Sequence, residues 1–303
     1  MRTAVIDIGS NTLLLLIVEP DAGRELRAVA DLCRFGRLGK GLDASGRLHP
    51  DAIARSLDIC REFRGVMDEH GVGRVAVIAT EAVRKASNGG DFVEPARAIL
   101  GANIAVIPGE REAALAFGAP VQSLPALRGR RFVVADVGGA STEVIAGDGA
   151  RVQSAVSVPI GAVRLSERHL RHDPATADER AALAADIDAA LAPLDVPRGV
   201  TLVASAGTAT TLAAIELGLT TYDPARVHGL TLSAERVQQL AERLLTASNG
   251  ERRAMPGIEP QHVDVIHAGA AIFARLAVRL DAPEVIISDR GIRWGLAYEL
   301  TAG

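Results

Sequence analysis

Two short turns in this chain carry the residue types from which phosphate chemistry can be built. The first reads Asp-Ile-Gly-Ser-Asn-Thr, Asp7 to Thr12, and the second Asp-Val-Gly-Gly-Ala-Ser-Thr, Asp136 to Thr142. Each sets an aspartate at the end of an apolar stretch, then small residues whose backbone can bend sharply and come close to a ligand. Consecutive N–H groups in such a turn cradle phosphate oxygens. The aspartate suits Mg²⁺, a hard cation normally shared between a few carboxylates and substrate phosphates. Either turn alone reads first as an ordinary tight hairpin; the pairing, one turn opening each half, points to phosphate. A third block, ASAGTATTL (Ala204 to Leu212), follows an apolar run and opens a helical pattern. There Gly207 and Thr208 either aim a helix N-terminus at an anion or form a plain N-cap.

Such turns must be held by strands and helices. Residues 3–8, 12–19 and 26–35 read as three successive strands, the first apolar enough to be buried on both faces. His49-Pro50 starts a helix, with Ile53, Leu57, Cys60, Phe63 and Met67 recurring on one side. Strand 74–79, helix 91–100, strand 103–107 and helix 110–119 complete a mixed sheet with helices. The segment 120–130, with two prolines and a basic cluster, reads as a domain boundary. Beyond it the pattern starts again with strands 131–136, 141–147 and 151–157. Helix 177–193, strand 200–205, helices 208–217, 233–246 and 261–280, strand 284–287 and helix 291–301 follow. Both halves open as strand–turn–strand–strand, a weak internal duplication.

Composition limits what such a scaffold can do. At 303 residues and 48% hydrophobic, the chain has apolar material for two domains and needs no staples. Cys33 and Cys60 fall in no metal spacing and form no disulfide framework, so both are expected as packed thiols in a reducing compartment. Aromatic residues at 3% argue against a base-stacking platform, and a net charge of −4 argues against broad nucleic-acid binding. The apolar run Leu13 to Val18 is much shorter than a membrane span, and no signal-peptide pattern precedes it; a cytoplasmic protein without a membrane partner is expected. His169, His172, His228, His262 and His267 have no metal-binding spacing. Arg34, Arg37, Lys40, Arg128, Arg130, Arg131, Arg290 and Arg293 could line a channel for a polyanion or simply be solvated.

The paired turns resemble the phosphate-binding hairpins of the acetate and sugar kinase, heat-shock chaperone and actin superfamily. Three further stretches narrow that resemblance: ATEAVRKASN (Ala79 to Asn88), IPGEREAALAFGA (Ile107 to Ala119) and SDRGIRWG (Ser288 to Gly295). Together, in order and from Thr3 to about Leu300, the six blocks resemble the exopolyphosphatase and guanosine pentaphosphate phosphatase (Ppx/GppA) family. The resemblance implies an α/β fold of two duplicated actin-like (ribonuclease H-like) lobes, residues 1–124 and 125–303, with mixed sheets flanking a central cleft. It implies Glu112 as catalytic base, with Glu110 one position off the helix face. Asp7, Asp136 and Glu143 match metal-associated positions for Mg²⁺ or Mn²⁺. Gly9, Ser10, Asn11, Thr80, Arg84, Gly138, Gly139, Ser141, Thr142, Gly207 and Thr208 match phosphate-binding ones.

Two departures stand out: Ala140 replaces a third glycine in the second turn, and His262 stands where many relatives carry an arginine. The chain also ends after helix 291–301, as in short two-domain exopolyphosphatases, without the C-terminal helical module of long relatives. The implied activity is Mg²⁺-dependent release of orthophosphate from the end of inorganic polyphosphate. The alternative is the same chemistry on guanosine pentaphosphate, with guanosine polyphosphates as substrate or inhibitor. Readings of another class are a polyphosphate or alarmone sensor and a superfamily kinase. Family analogy adds a homodimer.

Overall fold

The run Thr3–Ile8 is buried along its whole length and becomes the central strand β1 of the first unit. The computed structural model describes residues 1–21, 26–149 and 151–301. β2 (Leu13–Pro20) and β3 (Leu26–Arg34) fold back antiparallel, β2 on β1 and β3 on β2. A single turn, α1 (Leu42–Ser45), leads to the long helix α2 (Pro50–Glu69). Pro50 is pre-set for the first turn of α2, and the His49 side chain caps it by accepting from Asp51 N–H. β4 (Arg74–Ala79) returns parallel to β1, followed by α3 (Glu81–Lys85), α4 (Gly90–Leu100), β5 (Ile104–Val106) and α5 (Gly109–Ser123). The sheet order is β3-β2-β1-β4-β5. Ile59, Cys60, Phe63 and Met67 of α2 meet Phe92 and Ala96 of α4 in one apolar core over this sheet.

The second unit repeats the scheme. β6 (Phe132–Val137), β7 (Thr142–Gly147) and β8 (Val152–Val158) form the antiparallel trio. Then come α6 (Ala162–His169), α7 (Ala177–Leu191), β9 (Thr201–Ser205), α8 (Ala206–Leu217), α9 (Pro224–Val227) and β10 (Thr231–Leu232). α10 (Ala234–Thr246), α11 (Asn249–Ala254), α12 (Ile266–Arg279) and β11 (Val285–Ile287) follow. β9 lies parallel to β6 as β4 does to β1, giving the order β8-β7-β6-β9-β11-β10. α12 is buried on nearly every side and packs on α6, α7, α8 and α10. The final helix α13 (Ile292–Thr301) packs on β1 and β2 of the first unit.

The duplicated α/β architecture is the one anticipated. The contact division is Met1–Leu115 with Ile292–Gly303 as one unit and Ala116–Gly291 as the other, against an expected cut at 124/125. The cut falls inside α5, which runs unbroken through Pro120, so the proline-rich stretch that follows marks no division of the packing. The helix expected over 261–280 starts only at Ile266, after a tighter turn in which His262 O accepts from Val265 and Ile266 N–H. Cys60 is buried as expected, and burial pushes its thiol up to about 12. Cys33, expected to be packed, is exposed, because it lies on the outer strand β3.

Candidate active site

The two turns share one backbone geometry. In the first, Gly9 N–H donates to Thr12 O at 2.9 Å; in the second, Gly138 N–H donates to Ser141 O at 3.0 Å. A Cβ at either glycine would stand 3.1 or 3.2 Å from that same carbonyl oxygen. The strand pairs closing the turns also correspond, Ile8 with Leu13 and Val137 with Thr142. One pair further back, Asp7 faces Leu14 while Asp136 faces Glu143. The second turn therefore carries a carboxylate pair where the first has one carboxylate.

Each turn is walled by the segment that follows the third strand of its unit. In the first unit, Ser10 O accepts from Gly39 N–H and Asn11 O from Arg37 N–H, both at 2.8 Å. In the second, Gly138 O accepts from Ala162 N–H and Gly139 O from Val163 N–H, both at 2.9 Å, and Ala140 O accepts from the Arg164 guanidinium. A trans peptide points its N–H opposite to its C=O. With three successive carbonyls turned to α6, the N–H groups of Gly139, Ala140 and Ser141 face away from it, an anion-binding nest. Gly161 makes this approach possible, since a Cβ there would lie 2.5 Å from Gly139 C and O.

In the first unit, Thr80 N–H donates to Ile8 O at 3.1 Å, which ties the start of α3 to the first turn. One helical turn later, Arg84 donates to Ile107 O at 2.6 Å and stands 3.4 Å from Glu112 Oε2. Glu112, in the first turn of α5, is only 15% exposed, whereas Glu110 faces solvent. This brings the first turn, Thr80, Arg84 and Glu112 into one chain of hydrogen bonds and ion pairs within a single unit.

In the second unit, Glu143 is buried and its Oε1 accepts from Ser141 Oγ at 2.9 Å and Ser157 Oγ at 2.8 Å. Asp136 pairs with Glu143 on one side and Ser205 on the other, so the three side chains share one face at the strand ends. Gly291 covers this spot: a Cβ there would be 3.2 Å from Ser205 Oγ and 3.6 Å from Asp136 Oδ2. Ser205 is fully buried, and its Oγ makes no hydrogen bond among the described residues. Next to it, Ala206 opens α8 with φ of 73°, a left-handed backbone rare for alanine. Gly207 is exposed there, and His262 packs on it and meets Thr211 Oγ1 at 3.2 Å. Burial pushes the His262 imidazole down to about 4.

Two expected phosphate ligands turn their side chains inward. Thr142 is fully buried and donates to Ile160 O at 2.7 Å, and the buried Thr208 hydroxyl faces Gly269 of α12. Sequence reasoning missed Gly161, Gly291, Ser157 and Ser205, which bear no charge; their signal is steric and appears only with the backbone. Of the basic candidates, Arg34 is bound by Glu62, Arg130 by Glu284 and Arg293 by Asp31.

Among the described residues, no three His, Cys, Asp or Glu side chains are grouped to hold a metal ion. Asp136 and Glu143, with the small opening left by Gly291, fit a hydrated Mg²⁺ that takes its remaining ligands from water and phosphate. They do not make an all-protein cage.

A model of the Ppx/GppA phosphatase family matches residues 16–302. Exopolyphosphatase 2 of Mycobacterium tuberculosis is 35% identical over 99% of this chain and 98% of its own length. The guanosine-5'-triphosphate,3'-diphosphate pyrophosphatase of Vibrio cholerae is 30% identical over 98% of this chain, which spans 59% of that longer protein. The crystal structure of the Aquifex aeolicus Ppx/GppA family member superposes with a TM-score of 0.85 at 33% identity, covering 100% of this chain and 98% of that one.

Proposed function

This chain belongs to the Ppx/GppA phosphatase family, and we propose that it is an exopolyphosphatase that releases orthophosphate from the end of inorganic polyphosphate. The observation that carries this reading is the half-buried Glu112 beside Arg84, linked through Thr80 to the first phosphate turn. The match to exopolyphosphatase 2, nearly end to end in both chains, supports it. The chemistry of such a hydrolase is transfer of a phosphoryl group to water.

In the proposed reaction, a water attacks the terminal phosphorus in line with the bridging oxygen. Glu112 orients that water and accepts its proton. The bridging P–O bond breaks, and the shortened chain leaves with the electron pair. Arg84 and the turn N–H groups hold the non-bridging oxygens, where charge is concentrated. The N–H groups of Gly9, Ser10 and Asn11 serve in the first turn, those of Gly139 and Ser141 in the second. At α8 the N–H groups of Gly207 and Thr208 face the substrate; the Thr142 and Thr208 hydroxyls serve structure. Asp136 and Glu143 would hold Mg²⁺ or Mn²⁺, which would supply charge neutralisation at the phosphates; Asp7 is the corresponding carboxylate of the first turn. Ser141 and Ser157 fix the Glu143 carboxylate for that task.

Glu112→Gln keeps the shape and removes the base, so orthophosphate release should fall about 10²–10⁴-fold with an unchanged melting temperature. Undiminished turnover would overturn the assignment. A second reading, hydrolysis of guanosine pentaphosphate, has the support of the Vibrio cholerae relative and uses the same residues. Parallel rates on long polyphosphate and on the nucleotide separate the two. The reading includes a cytoplasmic setting and a homodimer; no described helix is long and apolar enough to cross a membrane.

A further inference from the structure

The loop Gly36–Gly41 walls the first turn. It is anchored at four points. Arg55 donates to Gly36 O at 2.8 Å, Arg37 and Gly39 N–H donate to the turn carbonyls, and Leu38 is fully buried. Gly36 and Gly39 allow close approach, since a Cβ would strike Leu13 Cδ1 at 2.5 Å or reach Ser10 Cβ at 3.0 Å. Between these glycines, Arg37 holds φ of 49°. A left-handed backbone favours glycine, and Gly41 in the same loop meets that demand at φ of 73°. At position 37 the chain instead keeps a guanidinium at the cost of backbone strain. Such strain, over-determined by its surroundings, collects at ligand sites. Lys40, one of only two lysines in the chain, projects into solvent from the next turn of the loop.

We propose that Arg37 and Lys40 form a subsite for the phosphates behind the terminal one and so set the preference for long chains. The proposal rests on the polyphosphate reading. Arginine matches phosphate oxygens with a planar fork and lysine with a point charge, a combination that holds a polyanion without demanding one register. The terminal phosphate lies in the turn, and the following ones run along the wall that carries these two stems.

The test is steady-state hydrolysis of tripolyphosphate and long-chain polyphosphate by wild type, Arg37→Gly, Lys40→Ala and the double variant at several salt concentrations. Glycine suits the backbone at 37, so Arg37→Gly should unfold in urea at or above the wild-type midpoint. The KM for long chains should rise about tenfold per cation removed, with a smaller rise for tripolyphosphate and little change in kcat. The slope of log(kcat/KM) against log(salt) should become shallower by about 0.7 per cation, as for a single-stranded polyanion. Equal losses at both lengths, or a wild-type KM in the double variant, would overturn the subsite while leaving the exopolyphosphatase reading intact. A wild-type enzyme that releases no orthophosphate from either substrate would overturn both.

Discussion

Replacing Gly161 with alanine adds a methyl group where the backbone of the second turn already sits. The new Cβ would lie 2.5 Å from Gly139 C and O and 2.6 Å from Ala140 N, where ordinary contact begins near 3.4 Å. No rotamer relieves this clash, because both partners are main chain. The φ of Gly161 is −152°, extended backbone that any residue adopts, so the effect isolates steric displacement from strain. Either α6 or the turn must shift by roughly an ångström, which for reacting groups costs about 10²-fold in rate. Overpacking should lower stability by about 1–3 kcal/mol, little enough for the protein to stay folded. The assay is orthophosphate release at saturating polyphosphate beside a urea melt. Gly65→Ala is the control: it lies within α2 with nothing inside 4 Å, so it should gain about 0.5–1 kcal/mol and leave turnover unaltered. A folded Gly161→Ala enzyme with wild-type kcat would refute the argument that the wall of the second turn positions its N–H groups for catalysis.

Two further outcomes test other parts of the molecule. Glu143→Gln retains an oxygen that can accept the Ser141 and Ser157 hydroxyls but loses the charge, so the Mg²⁺ concentration for half-maximal activity should rise at least about tenfold with the fold preserved. An unshifted magnesium titration would exclude that carboxylate from holding the ion. His267 is buried near Arg252, and burial, then the nearby guanidinium, push its imidazole from 6.5 down to about 3. Between those values the unfolded chain binds the proton and the folded one does not. Stability is therefore intact above pH 6.5 and falls as the pH drops towards 3, by on the order of 4 kcal/mol from this group. Urea midpoints of His267→Gln against pH should show a flatter acid limb, and a limb as steep as wild type would assign acid unfolding to other groups.

The parts of this molecule that could be read in advance are those where local chemistry and global position coincide. Asp7 and Asp136 each end a buried strand and precede glycine, and the backbone hydrogen bonds of Gly9 and Gly138 follow from that order. Helix α2 was legible because Pro50 and an apolar stripe from Ile53 to Met67 agree, although the buried face includes Ala52, Ser56 and Ile59 in place of Ile53 and Leu57. Thr142 and Thr208 were not: a hydroxyl in a glycine-rich motif looks the same whether it meets Ile160 O or a ligand. Short pieces such as α3 and α6 escaped periodicity because they span only one or two turns. The packing division inside α5 was hidden because proline and arginine clusters report local polarity, whereas long-range contacts decide which residues pack together.

The return of α13 to the first unit bears on how the protein is made. Ile292, Trp294, Leu296 and Ala297 are buried there, and Gly295 lies so close to Leu115 that a Cβ would sit 2.1 Å from its carbonyl oxygen. This helix emerges from the ribosome only after the whole of Ala116–Gly291. Until then β1 and β2 lack the cover that α13 supplies, although α2 and α4 already pack on the same sheet, so the first-synthesised unit is the last to finish. A nascent chain arrested before Ile292 would therefore be a natural client for chaperones that hold exposed hydrocarbon.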